Sequence, residues 1–250
     1  MIHYHGGLIT PSTAQVQAIH AGHAFVSFRA PSQLGLVMEI AQSFAVDNGA
    51  FSAWKSGSPI TDWSPYYAWA ASLMRHPGFD FAVIPDVIDG DEYQNDLLVD
   101  EWPLPRWIGA PVWHMHESVE RLVRLCADWP RVCIGSSGEF AAVGNARWWE
   151  RMGEAMDAIC IDGMPLSRIH GLRMLNPAVF RHLPLSSADS TNIAYNIGLD
   201  IKWNGAYSPV TKEARASVMR HRIEHVNGGQ RWAGIPTKFV QAGQQEELWA

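Results

Sequence analysis

Cysteine is scarce. Cys126, Cys133 and Cys160 are the three in a chain of 250 residues, far apart, with no CxxC pair. An odd, scattered set argues against a disulfide framework and a Cys-based structural zinc site. It fits reduced core thiols in a cytoplasmic protein. Blocks of Lys or Arg are missing too. Nineteen basic residues face 25 acidic ones, for a formal net charge of -6. Charge therefore announces no nucleic-acid partner, although a local basic patch can hide in such a total. No apolar run approaches bilayer length. The start, Met1-Ile2-His3-Tyr4-His5-Gly6-Gly7, lacks a basic region and a long apolar stretch. Neither a membrane span nor a signal peptide is expected. No GxGxxG, GxxxxGKS or GxxxxGKT follows an apolar run, which weakens a nucleotide-binding doubly wound sheet.

What is present reads as an α/β barrel. At 47% hydrophobic, 250 residues suit one barrel or at most two smaller domains. Short apolar runs at 24–30, 43–47, 79–85, 109–114, 131–135, 168–174 and 184–188 read as strands buried on both faces. Between them lie helix candidates at 66–74, 91–101, 118–129, 145–160 and 211–226, with Ser118 and Asn145 as N-caps. Such alternation predicts a parallel sheet with right-handed crossovers, and the length fits a single TIM-type (β/α)8 barrel over 1–250. Its core is expected over about 20–226; seven strands are visible, and the pattern does not locate the eighth, for which 197–203 is the candidate segment. The polar tail 227–250 is read as partly disordered or as a clasp on the barrel. Most of the 12 tryptophans should pack in the core, with one or two left to stack on a planar ligand.

In a barrel the C-terminal strand tips share one face, so distant residues converge there. The tips read Asp47-Asn48, Asp86, His114 with His116, Gly135-Ser136-Ser137-Gly138, His170-Gly171 and Asp189-Ser190. A lone strand-end Asp is more often a cap or turn former than a catalyst. Several carboxylates on one rim change the odds. Two strand-end carboxylates are enough for a nucleophile and an acid/base at a glycosidic carbon, as in a two-carboxylate glycoside hydrolase. The alternative of a metal-dependent barrel hydrolase would use His3-x-His5, His114-x-His116, His170 and Asp189 as ligands. Against it, two residues ahead of His3 look too few to form the strand whose tip HxH would occupy. A non-catalytic nucleic-acid-binding module is the plain competitor.

Asp47-Asn48-Gly49-Ala50-Phe51-Ser52 resembles the Asp-Ser-Gly-Gly-Phe-Gln signature of tRNA-guanine transglycosylases, and is closer still to phage relatives that put 7-deazaguanine derivatives into DNA. The other tips are similar in order. Ile84-Pro85-Asp86 matches the strand whose Asp reads the base edge. Val112-Trp113-His114 matches a strand that offers Gln in the tRNA enzymes. Ile134-Gly135-Ser136-Ser137-Gly138-Glu139 resembles a Gly-Gly-Leu-x-x-Gly-Glu turn. Ile169-His170-Gly171-Leu172 falls where a loop covers the base, and Ala188-Asp189-Ser190-Thr191 on the strand with the nucleophile. The resemblance spans roughly 20–195. It departs in length and in having nothing like the C-terminal Cys/His zinc subdomain, which favours DNA over tRNA.

The resemblance implies a two-step base exchange. Asp189 would be the nucleophile and Asp47 the general acid/base. Asp86, His114, Gly135, Ser136, His170 and Gly171 would bind the base. A free 7-deazaguanine, such as 7-cyano-7-deazaguanine, would be co-substrate, with no cofactor and no zinc. The target nucleotide would have to leave its stack. Arg29, Lys55, Lys212 and Arg215 are candidates for phosphate contact, as are Arg220 and Arg222; a solvated helix face is the plain alternative for the last four. A homodimer in the cytoplasm, the host's if phage-encoded, completes the expectation.

Overall fold

The apolar runs become parallel strands, and the stretches between them become helices that cover the strands. The computed structural model describes residues 1–203, 208–237 and 239. The chain runs β1 (Ile2–Gly6), α1 (Ser12–Ile19), β2 (His23–Ser27), α2 (Leu34–Ile40), β3 (Ser43–Asp47), α3 (Ala50–Lys55), α4 (Ser64–Leu73), β4 (Phe79–Val83) and α5 (Glu92–Asp100). It continues with β5 (Gly109–Ala110 and Val112–His114), α6 (Val119–Asp128), β6 (Arg131–Gly135), α7 (Ala146–Ile159), β7 (Arg168–Gly171), α8 (Pro177–Phe180), β8 (Ser187–Ser190), α9 (Asn192–Asn196) and α10 (Lys212–Glu224).

The strands form one parallel sheet whose two ends are the two halves of β5. Gly109–Ala110 pairs with β4, and Val112–His114 pairs with β6. Pro111 joins the halves. It has no N–H for a ladder, so the strand breaks there, while its carbonyl still accepts from the Cys133 N–H at 2.8 Å. The sheet thus closes round with its seam at Pro111, as an irregular TIM-type barrel.

Three strand expectations need correcting. The strand that completes the ring is β1, not a segment of 197–203, where the chain makes a 3-10 turn over Asp200–Trp203. The barrel core therefore reaches forward of residue 20. Five residues suffice because β1 is held from both sides, Tyr4 in register with Asp189 of β8 and with His23 of β2. Residues 172–174 leave the ladder after β7. The run at 184–188 enters its strand later, at Ser187–Ser190.

Alternation sends Tyr4, Phe25, Ala45, Phe81, Ala110 and Cys133 inward as one apolar cluster. Below it, at the N-terminal strand ends, Tyr4 Oη donates to Asp80 at 2.5 Å. Asp80 also pairs with Arg131 at 3.1 Å, whose guanidinium lies 4.1 Å from the centre of the Phe81 ring. The bottom is plugged, so the open end is the face of C-terminal tips. Burial pushes the Cys126 and Cys160 thiols up to about 11 and Cys133 well above its ordinary value. All three stay protonated and unreactive near neutrality.

Outside the strands, α7 is the most deeply seated helix. Trp148, Trp149, Met152, Met156 and Ile159 are buried on it, each contributing about 1.5–3 kcal/mol. Asn145 caps it by accepting from Trp148 N–H at 2.8 Å, and Ser118 caps α6 through Arg121 N–H at 3.2 Å. The described part of 227–250 clasps the barrel. Gly229 N–H donates to the Phe180 carbonyl, Trp232 Nε1 donates to Asp157 at 2.6 Å, and the Phe239 ring stacks on Trp149. Residue 238 and residues 240–250 lie outside the described residues. Among the described residues, no helix is long and apolar enough to cross a membrane.

Candidate active site at the barrel mouth

The strand tips surround a cavity of about 640 Å³. Asp47, Asp86, His114, Gly135, Ser136 and Asp189 all line it, so six residues spread over 143 positions meet at one opening. Arg29 and Lys55 stand on its rim, both exposed.

Asp47 is the last residue of β3. Two residues on, Gly49 has φ 83°, and its N–H donates back to Asp47 Oδ2 at 3.1 Å. A Cβ at Gly49 would meet Arg29 Cγ at 2.5 Å, so glycine is required both by backbone sign and by space. Burial is the main reason that the Asp47 carboxyl is pushed up to about 7; the charges of Asp189 and Asp86 add to it, and hydrogen bonds from Ser27 and Gly49 oppose it. Three carboxyl groups share one cavity, and burial together with its two neighbours lets Asp47 hold a proton near neutrality.

Asp86 is buried and held from two sides. Asn48 Nδ2 donates to its Oδ1 at 2.8 Å and also to the Ile84 carbonyl at 2.9 Å. His114 Nε2 lies 2.9 Å from its Oδ2. Asn48 Oδ1 accepts from Ala50 N–H at 2.7 Å, so one buried amide ties the β3 turn, the start of α3 and the β4 tip together. Each Asp86 oxygen keeps a further acceptor site. His114 Nδ1 has no hydrogen bond among the described residues. A Cβ at Gly135 would meet that nitrogen at 3.1 Å, so the glycine leaves the imidazole its room. Ser136 is fixed by the Trp148 indole, whose Nε1 donates to Oγ at 2.9 Å.

Asp189 takes a hydrogen bond from the Arg173 backbone N–H at 2.9 Å. Arg173 has φ 59°, a left-handed conformation that costs a non-glycine residue energy and is common where a site imposes it. Its guanidinium donates to the Ser136 carbonyl and lies 4.2 Å from the centre of the Phe51 ring. The strand-tip pattern includes Asn48 without giving it a role and does not include Arg173. Asn48 stands inside the conspicuous turn after β3, but the role of Arg173 depends on a backbone angle that residue type does not reveal.

His170 and Gly171 are not among the cavity's lining residues. His170 is wholly buried inside the barrel, stacked on Phe25, with Nδ1 2.8 Å from Ser187 Oγ and Nε2 3.4 Å from Asp189 Oδ1. Burial pushes its pKa down, against Asp189. It sits beneath Asp189 because it pairs in register with Ser187, two residues below that carboxylate. Gly171 is tight for packing: a Cβ there would meet Met174 Cβ at 2.9 Å.

His3 and His5 also lie away from the mouth. They leave β1 on its outer side, where His3 Nε2 meets the Val226 carbonyl at 2.9 Å and His5 Nε2 meets Glu224 at 3.1 Å. His116 meets the Gly90 carbonyl at 3.0 Å. The set needed for an HxH metal centre is therefore not brought together, although β1 itself is a strand. The cations of α10 are taken up locally. Lys212 donates to the Thr10 carbonyl and Arg215 to Pro209, Ile197, Asp200 and Ser208. Arg220 donates to the His20 carbonyl and pairs with Glu224, while Arg222 lies over Trp203. None of the four lines the cavity. Among the described residues the aromatic rings that do are Phe25, Phe51, His114 and Tyr195, with no tryptophan.

Chemically, the mouth offers a carboxyl that is protonatable near pH 7, a carboxylate fixed by a backbone N–H, and a third carboxylate braced to accept hydrogen bonds. No model of a known protein family matches the chain, and no curated protein does.

Proposed function

We propose that this protein exchanges nucleobases in a nucleic acid, replacing guanine by a 7-deazaguanine through a covalent glycosyl-enzyme. The observation that carries the reading is the pairing of Asp47, pushed up to about 7, with Asp189, held by Arg173 N–H, in one cavity.

In the first step an Asp189 oxygen attacks the anomeric carbon and the bond to the base nitrogen breaks. The electron pair leaves with guanine, and Asp47 supplies the proton it needs. In the second step the incoming base loses a proton to Asp47 and attacks the same carbon, and Asp189 is released as a carboxylate. Asp47 is restored to its acid form, so the exchange needs no external acid. Asp86 accepts from the N1–H and exocyclic amine that guanine and its 7-deaza analogues share. His170, neutral and beneath Asp189, supports the nucleophile rather than touching a base. Exposed cations at the rim, Arg29, Lys55 and Arg173, suit a phosphate-bearing substrate better than a neutral glycan.

The test is incorporation of labelled guanine or 7-cyano-7-deazaguanine into DNA and, separately, into tRNA. Incorporation that survives Asp189→Asn would remove the nucleophile assignment. Release of reducing sugar from a glycan, with no base requirement, would favour a glycoside hydrolase using the same two carboxylates.

A further inference from the structure

Arg173 has two separate attachments in the mouth. Its backbone N–H holds Asp189, and its side chain crosses to the Ser136 carbonyl and the Phe51 ring. That carbonyl is the one hydrogen-bond partner of the guanidinium among the described residues. A guanidinium has five N–H donors, and this one is exposed at the cavity wall.

The three cations of the cavity converge on α3. Arg29 lies against Gly49, the residue before the helix; Arg173 lies over Phe51; Lys55 ends the helix one turn further on. The carboxylates stand deeper, at the strand tips. A different sector of the rim is apolar. Leu8, after β1, is 55% exposed, and Tyr195, on α9 after β8, is 76% exposed, yet both line the cavity. β1 and β8 are neighbours in the barrel, whereas β3 and its helix stand two strands away. The rim is therefore divided into a cationic side and a stacking side.

We infer that this divided rim is a track for a single nucleic-acid strand. Arg173, with Arg29 and Lys55, takes phosphodiester groups flanking the target nucleotide, and Tyr195 with Leu8 stacks a base beside it. The inference rests on the base-exchange reading and adds the strand's placement. Cations and aromatic faces are the two elements that hold single strands: charge for the backbone and π-faces for bases.

Charge and stacking leave different signatures. A labelled single-stranded oligonucleotide, DNA in one arm and RNA in the other, is titrated with the full chain over a salt series. Arg173→Gln keeps the backbone N–H on Asp189 and should make the slope of log Kd against log salt shallower by about 0.7, the share of one phosphate on a single strand. Arg173→Lys should keep the parental slope. Tyr195→Ala should keep the slope and weaken binding about tenfold. Thermal melting confirms that each variant is folded. A parental slope in Arg173→Gln, or parental affinity in Tyr195→Ala, overturns the track. If the parent exchanges bases and either result appears, only the track falls. If the parent shows no salt-dependent binding in either arm, the nucleic-acid reading falls with it.

Discussion

The Arg173 backbone N–H reaches Asp189 Oδ1 over 2.9 Å from a left-handed conformation, φ 59°. The hydrogen bond fixes one carboxylate oxygen, and in the proposed exchange the other is the one that attacks. Asparagine at 189 would still accept that N–H through its amide oxygen, but is no nucleophile. Asp189→Asn should therefore leave the melting temperature near the parent's and lower base exchange by about 10³-fold or more, the scale seen when a covalent nucleophile is removed. Mass spectrometry of the protein quenched with an oligonucleotide substrate should find the adduct in the parent and not in the variant.

The room left by Gly135 gives a second prediction. Its missing Cβ would stand 3.1 Å from His114 Nδ1 and 3.3 Å from Val112 Cγ1. The imidazole cannot shift without losing its 2.9 Å approach to Asp86. Gly135→Ala should weaken binding of the free base about tenfold, a loss of about 1.4 kcal/mol, while denaturation midpoints move much less. Calorimetric titration with guanine checks this. Unchanged affinity would show that His114 and Asp86 are not set by that gap.

Beneath the site, Glu117 joins several buried groups. Its Oε2 accepts from the His114 backbone N–H at 2.9 Å and pairs with Arg121 at 2.7 Å, and its Oε1 accepts from Asn95 Nδ2 at 2.8 Å. Asn95 in turn accepts from Val87 N–H at 2.7 Å, next to Asp86. Removing one member leaves Arg121 buried with a missing partner. Glu117→Ala should cost about 3–5 kcal/mol, and Glu117→Ala with Arg121→Met should recover part of it. Urea denaturation of the two singles and the double measures the coupling.

The ring of strands was legible wherever a strand is a short apolar run, as at 43–47 and 131–135. β1 was not, because His3 and His5 give it a polar look; their polar atoms are satisfied outside the barrel by α10 and the residues after it. α1 and α3 also escaped, since their N-cap residues, Pro11 and Gly49, offer no capping side chain. At the site, residue type and strand-end position were enough to bring Asp47, Asp86 and Asp189 together. Depth within the barrel was not readable. His170 lies one inward-facing layer below Asp189, a difference set by register between β7 and β8 rather than by composition. Arg173 acts on Asp189 through its backbone, which the sequence of residue types does not display.

The raised pKa of Asp47 has opposite consequences for stability and for chemistry. Its ordinary value is 3.8 and its value in the fold about 7, so the native state binds the proton more tightly than the unfolded chain does. The stability this gives is fully present below about pH 4 and is lost as pH rises through about 7. Asp47→Asn abolishes the titration. Relative to the parent, the variant should therefore gain stability as pH rises from 4 to 8, on the order of 2–4 kcal/mol at 1.36 kcal/mol per pKa unit. Urea midpoints at constant m across that range measure it. Activity should move the other way. In the proposed base exchange, single-turnover formation of the glycosyl-enzyme needs Asp47 protonated, so it should fall above about pH 7 in the parent. Asp86→Asn withdraws one of the two charges that raise Asp47 and should shift that limb to lower pH. A limb that stays in place in Asp86→Asn would separate Asp47 from the acid role, whatever the stability data show.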